Sequence, residues 1–151
     1  MKNKSGFTLV ELLVTLAIIS ILAVVIFNAL SNFRKNQALT MDTETVVEIL
    51  RQARNQTLTS KNSSVYGVHF ASPDITIFTG AVYDPNSTTN IKFVLSSTDT
   101  ILSVNLNGAG SDVIFKRLTG ETDQYGTVVI SSPQISKTKT VTIYKTGLVE
   151  N

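Results

Sequence analysis

Sixty consecutive residues, 7–66, contain neither glycine nor proline, so nothing in that stretch strongly interrupts a helix. The first 24 of them, 7–30, are apolar apart from Thr8, Glu11, Thr15, Ser20 and Asn28. As a helix they would span roughly 36 Å, enough to cross a bilayer. A secretory signal has an apolar region of about 7–15 residues with a small-residue cut site behind it. This run is longer and reads as a retained membrane helix. Beyond it the pattern turns amphipathic. Phe33, Leu39, Val46, Ile49, Leu50, Ala53 and Leu58 recur mostly at three- to four-residue spacings, and Arg34, Lys35, Asp42, Glu44, Glu48, Arg51 and Arg54 fall largely between them. The spacing predicts one helix from Phe7 to about Thr59. Its first half is apolar all round, its second half has one face for a globular domain, and the polar residues 60–64 end it.

From residue 65 the period changes from helical to alternating. Segments 65–70, 75–78, 91–95, 101–106, 113–118, 127–130 and 138–144 read as strands, the first with Tyr66, Val68 and Phe70 on one face. Turn residues separate them: Ser72-Pro73-Asp74, Asp84-Pro85-Asn86, Asn107-Gly108-Ala109-Gly110, Thr119-Gly120-Glu121 and Ser132-Pro133. The expected fold is α+β, a long N-terminal helix packed on a C-terminal, mainly antiparallel β domain. The expected organisation is a leader at 1–6, a membrane helix at 7–30, an amphipathic half and its end at 31–64, and a β domain at 65–151.

Composition excludes several functions. The formal charge of +2 comes from the front, because Lys2 and Lys4 are two of the 13 basic residues; without them 11 basic side chains face 11 acidic ones. The rest of the chain has no net basic charge to suggest a general nucleic-acid surface. With no cysteine, neither a disulfide framework nor a thiolate metal site can form. Packing alone must hold the β domain.

Glu11 stands against its surroundings. A carboxylate within lipid costs roughly 2.5–3.5 kcal/mol on insertion scales, which makes it a functional residue by default. A carboxylate at a helix N-terminus is also favoured by the macrodipole. Lys2 and Lys4 before the run favour a cytoplasmic N-terminus, while Arg34 and Lys35 behind it oppose that orientation.

The string Lys2-Asn3-Lys4-Ser5-Gly6-Phe7-Thr8-Leu9-Val10-Glu11-Leu12-Leu13 resembles a type IV prepilin signal: a basic leader, Gly, Phe, Glu fifth after the Gly, then a membrane helix. The resemblance implies a substrate of prepilin peptidase. That enzyme would cut between Gly6 and Phe7 and methylate the new amine of Phe7. It also breaks the orientation tie in favour of N-terminus in, C-terminal domain out, in a bacterial cytoplasmic membrane. In a growing fibre, Glu11 of an incoming subunit would meet the Phe7 amine of one already placed. Pairing offsets part of the cost of each charge in apolar surroundings and would set the axial register. The partners implied are prepilin peptidase, other pilin or pseudopilin subunits, an inner-membrane assembly platform and membrane lipid.

Within that superfamily the chain is most similar to the GspH/FimT-type minor pseudopilins. The residues are Leu50-Arg51-Gln52-Ala53-Arg54 near the helix end, with Thr57 where a small apolar residue is usual, then Phe115, Gly120 and 126–130, and the closing 141–149. One departure is the absence of a proline near Asn28, where many pilins break the helix. The resulting expectation is a structural minor pilin or pseudopilin subunit, without enzymatic activity or cofactor, assembled into or priming a type IV pilus or a type II secretion pseudopilus.

Other candidates are weaker. His69 is the only histidine, lies opposite the Tyr66/Val68/Phe70 face, and has neither a second metal ligand nor a nucleophile motif beside it. Glu121 and Asp123 could coordinate calcium, but the EF-hand spacing is absent and a solvated turn is the simpler reading. Lys137 and Lys139 share one strand face and Lys145 continues their parity. These three are the candidate DNA contacts of an alternative reading, a DNA-binding minor pilin for natural transformation. Against that, lysines also protect sheet edges from aggregation, and this domain lacks net basic charge. A second alternative is a membrane-anchored β domain that never assembles.

Overall fold

The computed structural model describes residues 8–59 and 63–151. Gly6 and Phe7, where the processing site is expected, lie outside the described residues, as do 60–62 of the expected helix end. The chain divides into two units, Met1–Arg34 and Lys35–Asn151.

Helix α1 runs Leu9–Leu58, 50 residues without a break. In the first unit none of its side chains is buried, and Leu9 to Leu30 leaves its apolar residues exposed. An 18-residue window of this helix reaches a mean hydropathy of 2.9. In the second unit the helix buries Leu39, Thr43, Val46, Val47, Ile49, Leu50, Ala53 and Thr57. These positions repeat every three or four residues and so form one stripe. Each large apolar side chain among them contributes about 1.5–3 kcal/mol by leaving water.

The β domain has eight strands: β1 Tyr66–Ala71, β2 Asp74–Thr79, β3 Ile91–Val94, β4 Thr100–Leu106, β5 Asp112–Ile114, β6 Gly126–Ser132, β7 Lys137–Ile143 and β8 Val149–Glu150. They form two four-stranded sheets, ordered β3-β2-β1-β5 and β4-β6-β7-β8, and every pairing is antiparallel. The α+β architecture is the expected one. One continuous core joins the helix stripe to Tyr66, Val68, Phe70, Ile75, Ile77 and Val113 of the first sheet and to Leu106, Val128, Ile130, Val141, Ile143 and Val149 of the second.

Two strand expectations need correction. The strand expected at 113–118 stops at Ile114. Lys116 N–H donates to the Glu121 carbonyl and Gly120 N–H to the Lys116 carbonyl, so the backbone turns there, and Leu118 sits at φ 72° with 85% of its surface exposed. Strand β8 was not expected. Two residues are too short to show alternation, and β8 exists because the turn at 144–148 folds it back on Thr142 and Ile143.

Candidate functional site

The front of α1 begins with a side-chain cap. Thr8 precedes the first helical residue, and its Oγ1 accepts the N–H of Glu11 at 3.2 Å. The order Thr8-Leu9-Val10-Glu11 is the S/T-x-x-E pattern of a capping box, of which the structure forms the Thr8 half. Glu11 is therefore the third helical residue and sits in the positive field of the helix start. This signal was readable in the sequence and gives Glu11 a local role beside any assembly role.

The other polar residues of the run are satisfied by their own helix. Thr15 Oγ1 donates to the Leu12 carbonyl (2.9 Å), Ser20 Oγ to Leu16 (2.7 Å) and Asn28 Nδ2 to Val24 (3.0 Å). Such return bonds allow polar side chains to sit in lipid without an outside partner. A carboxylate accepts and cannot make this bond to a carbonyl. Glu11 is thus the one ionisable group from residue 8 to residue 30, and the one polar side chain there that cannot bond back to a helix carbonyl.

At the other end of α1 three side chains tie the helix to the β domain. Thr57 is fully buried; its Oγ1 donates to the Ala53 carbonyl at 3.0 Å and accepts the Tyr66 N–H at 2.9 Å. These two bonds satisfy the hydroxyl of a polar residue placed in the core. Arg54 Nε donates to the Gly120 carbonyl at 3.1 Å, and Arg51 Nη2 to the Val149 carbonyl at 3.0 Å. Gly147, at φ 77°, lies so close to Gly120 that a Cβ would fall 1.8 Å from the Gly120 oxygen. The two arginines thus clamp the turn before β6 and strand β8 to the helix. A cleft of about 290 Å³ lies beside them, lined by Arg51, Arg54, Asn55 and residues 147–150.

His69 lies on the outer face of the first sheet. Its ring stacks on Tyr83 at 3.9 Å between centroids, and Nδ1 is 2.5 Å from Asp112 Oδ1. Phe78 meets Tyr83 edge-on and lies over Gly67, where a Cβ would be 2.4 Å from its ring. These groups form a small aromatic cluster that holds the 80–90 loop against the sheet. In the 119–126 loop, Asp123 Oδ1 pairs with Lys116 Nζ at 2.7 Å, while the Glu121 N–H donates to Thr119 Oγ1. Lys137 and Lys139 lie opposite Ser132 and Ile130 in register, at the same parity as the buried Val141 and Ile143. Lys145 lies beyond β7, in the turn to β8. Strand β7 is interior in sheet order, but β8 pairs only with Thr142 and Ile143, so the lysine end of β7 has no strand on its outer side among the described residues.

Residues 1–27 match the prokaryotic N-terminal methylation motif. The match supports a type IV prepilin-like protein. It implies processing by prepilin peptidase and assembly with other pilins, and with the long apolar helix it fits an anchored inner-membrane pilin. No curated protein and no solved structure matched the chain.

Proposed function

We propose that this protein is a structural, non-catalytic minor pilin or pseudopilin subunit. Prepilin peptidase cuts it between Gly6 and Phe7, and it is inserted with its N-terminus in and its β domain outside. It then joins or primes a type IV pilus or a type II secretion pseudopilus. The observation that carries this reading is the uniqueness of Glu11. Every polar side chain from Thr15 to Asn28 has a partner within the helix, whereas the Glu11 carboxylate, an acceptor only, cannot bond back to a helix carbonyl. Cleavage would create a cation, the Phe7 amine, within one turn of it. The predominantly apolar surface of residues 9–30 supplies cohesion with lipid first and with neighbouring helices after assembly. The GspH/FimT-type likeness includes the Arg51/Arg54 segment, whose side chains clamp β8 and the turn before β6.

The test is the intact mass of the protein purified from its native membrane. Loss of residues 1–6 with gain of one methyl group supports the reading. An uncut N-terminus, or a cut elsewhere, removes the assembly role of Glu11 and leaves a membrane-anchored β domain.

A further inference from the structure

Two carboxylates meet where α1 passes the connection between β3 and β4. Asp99 closes a tight turn in which its N–H donates to the Ser96 carbonyl at 2.9 Å. It is only 2% exposed, and both of its carboxylate oxygens are buried without a hydrogen-bond partner. Asp42, half-buried on the helix, accepts the Ser96 N–H at 2.8 Å and the Ser96 hydroxyl at 3.1 Å. Burial raises the Asp42 carboxyl above its usual range, the Ser96 bonds lower it, and the neighbouring Asp99 carboxyl raises it again. Ser96 links the two: its N–H and hydroxyl bind the Asp42 carboxylate while its carbonyl accepts the Asp99 N–H, which brings Asp99 next to Asp42. The ion pairs His69 with Asp112, Lys92 with Asp74 and Lys116 with Asp123, seen among the described residues, include neither aspartate.

A buried carboxylate without a partner is among the costliest arrangements in a protein. Two acceptor-only groups facing each other need something positive between them. The donors here are all oxygen, which selects a hard cation over zinc or copper. The Thr98 hydroxyl, one residue before Asp99, is also buried without a partner. Magnesium demands near-ideal octahedral geometry, whereas calcium accepts irregular sets of six to eight oxygens completed by water. Half-exposed Asp42 leaves a route in from solvent. We propose that Asp42 and Asp99 form a calcium site that ties α1 to the turn entering β4. The site is independent of the assembly reading and distinct from the Glu121/Asp123 loop.

The experiment uses the full chain in detergent, freed of divalent ions with EDTA and then titrated with calcium by calorimetry and thermal melting. The expected result is saturable binding of one calcium per chain. At about a hundredfold excess over Kd the melting temperature rises by roughly 5–10 °C, with a smaller rise for magnesium. Asp99→Asn and Asp42→Asn should each abolish binding and the rise, and Asp99→Asn should melt above the EDTA-treated parent because a buried charge is gone. Asp42→Asn, at the more exposed position, decides the matter if Asp99→Asn does not fold. Absence of calcium binding by the parent overturns the proposal, leaving a pair that shares a proton. Binding that survives Asp42→Asn but is lost in Asp123→Asn overturns it too, by placing the ion in the other loop.

Discussion

The two halves of α1 share one backbone geometry and have opposite relations to their surroundings. From Leu9 to Leu30 the helix exposes Leu, Val, Ile and Phe on every side, and its polar residues turn back onto its own carbonyls. From Leu39 to Thr57 it buries one stripe; Thr40, Thr43 and Thr45 still turn back onto the helix, but four other polar residues reach other elements: Asp42 to Ser96, Arg51 to Val149, Arg54 to Gly120, Thr57 to Tyr66. A helix that satisfies itself laterally can take any apolar neighbour, lipid or protein. A helix that reaches outward is committed to one domain. The difference lies in which hydrogen-bond partners its side chains seek, since both halves are equally helical.

The contrast can be broken most severely at Val46, which has no exposed surface. Val46→Asp places an unpaired charge in the core and should cost more than about 4 kcal/mol, so that the β domain fails to show a cooperative melt. Glu11→Ala tests the other half. It should leave the melting of the β domain unchanged yet lower incorporation into filaments, scored by immunoblot of sheared fibres, by about tenfold or more, because a buried charge that loses its partner is strongly penalised. Equal incorporation would assign Glu11 to helix capping alone.

Smaller effects sharpen the same division. Thr57→Val keeps the shape but leaves the Tyr66 N–H without its acceptor, a loss of about 1–3 kcal/mol readable by urea denaturation. Asp42 adds a pH dependence. Burial chiefly raises its carboxyl above the ordinary carboxylate value. The stability from its bound proton is complete below that value and lost as pH rises through the folded pKa. The parent should therefore lose more melting temperature than Asp42→Asn as the pH rises from the ordinary carboxylate value toward neutral. The smallest effect is expected from Thr8→Ala, about 1 kcal/mol of fraying at the helix start, visible as faster amide exchange there with no change in β-domain melting.

Much of this was legible in the residues because it depends on short-range rules. The absence of glycine and proline from 7–66 made the helix readable, and alternation located β1 to β4, β6 and β7 to within two residues at either end. Strand β5 came out too long because Phe115 continues the apolar pattern while the backbone turns for the sake of the Gly120 loop. The Thr8 cap was present in the sequence as Thr-x-x-Glu and needed only to be sought. Asp42 and Asp99 are different. They are 57 positions apart, and nothing local distinguishes either from a solvated surface acid.

The sequence by itself determined the membrane-length helix, the Glu11 anomaly, the α+β class and the apolar face of β1, because hydrophobic periodicity and backbone sterics act between near neighbours. Only the tertiary structure decided that the strands divide into two sheets, that Arg51 and Arg54 clamp distant turns, and that Asp42 on the helix binds Ser96 across from it. Those outcomes depend on which distant segments come to share a low-dielectric core, where an unpaired group is costly and a partner must be found across space.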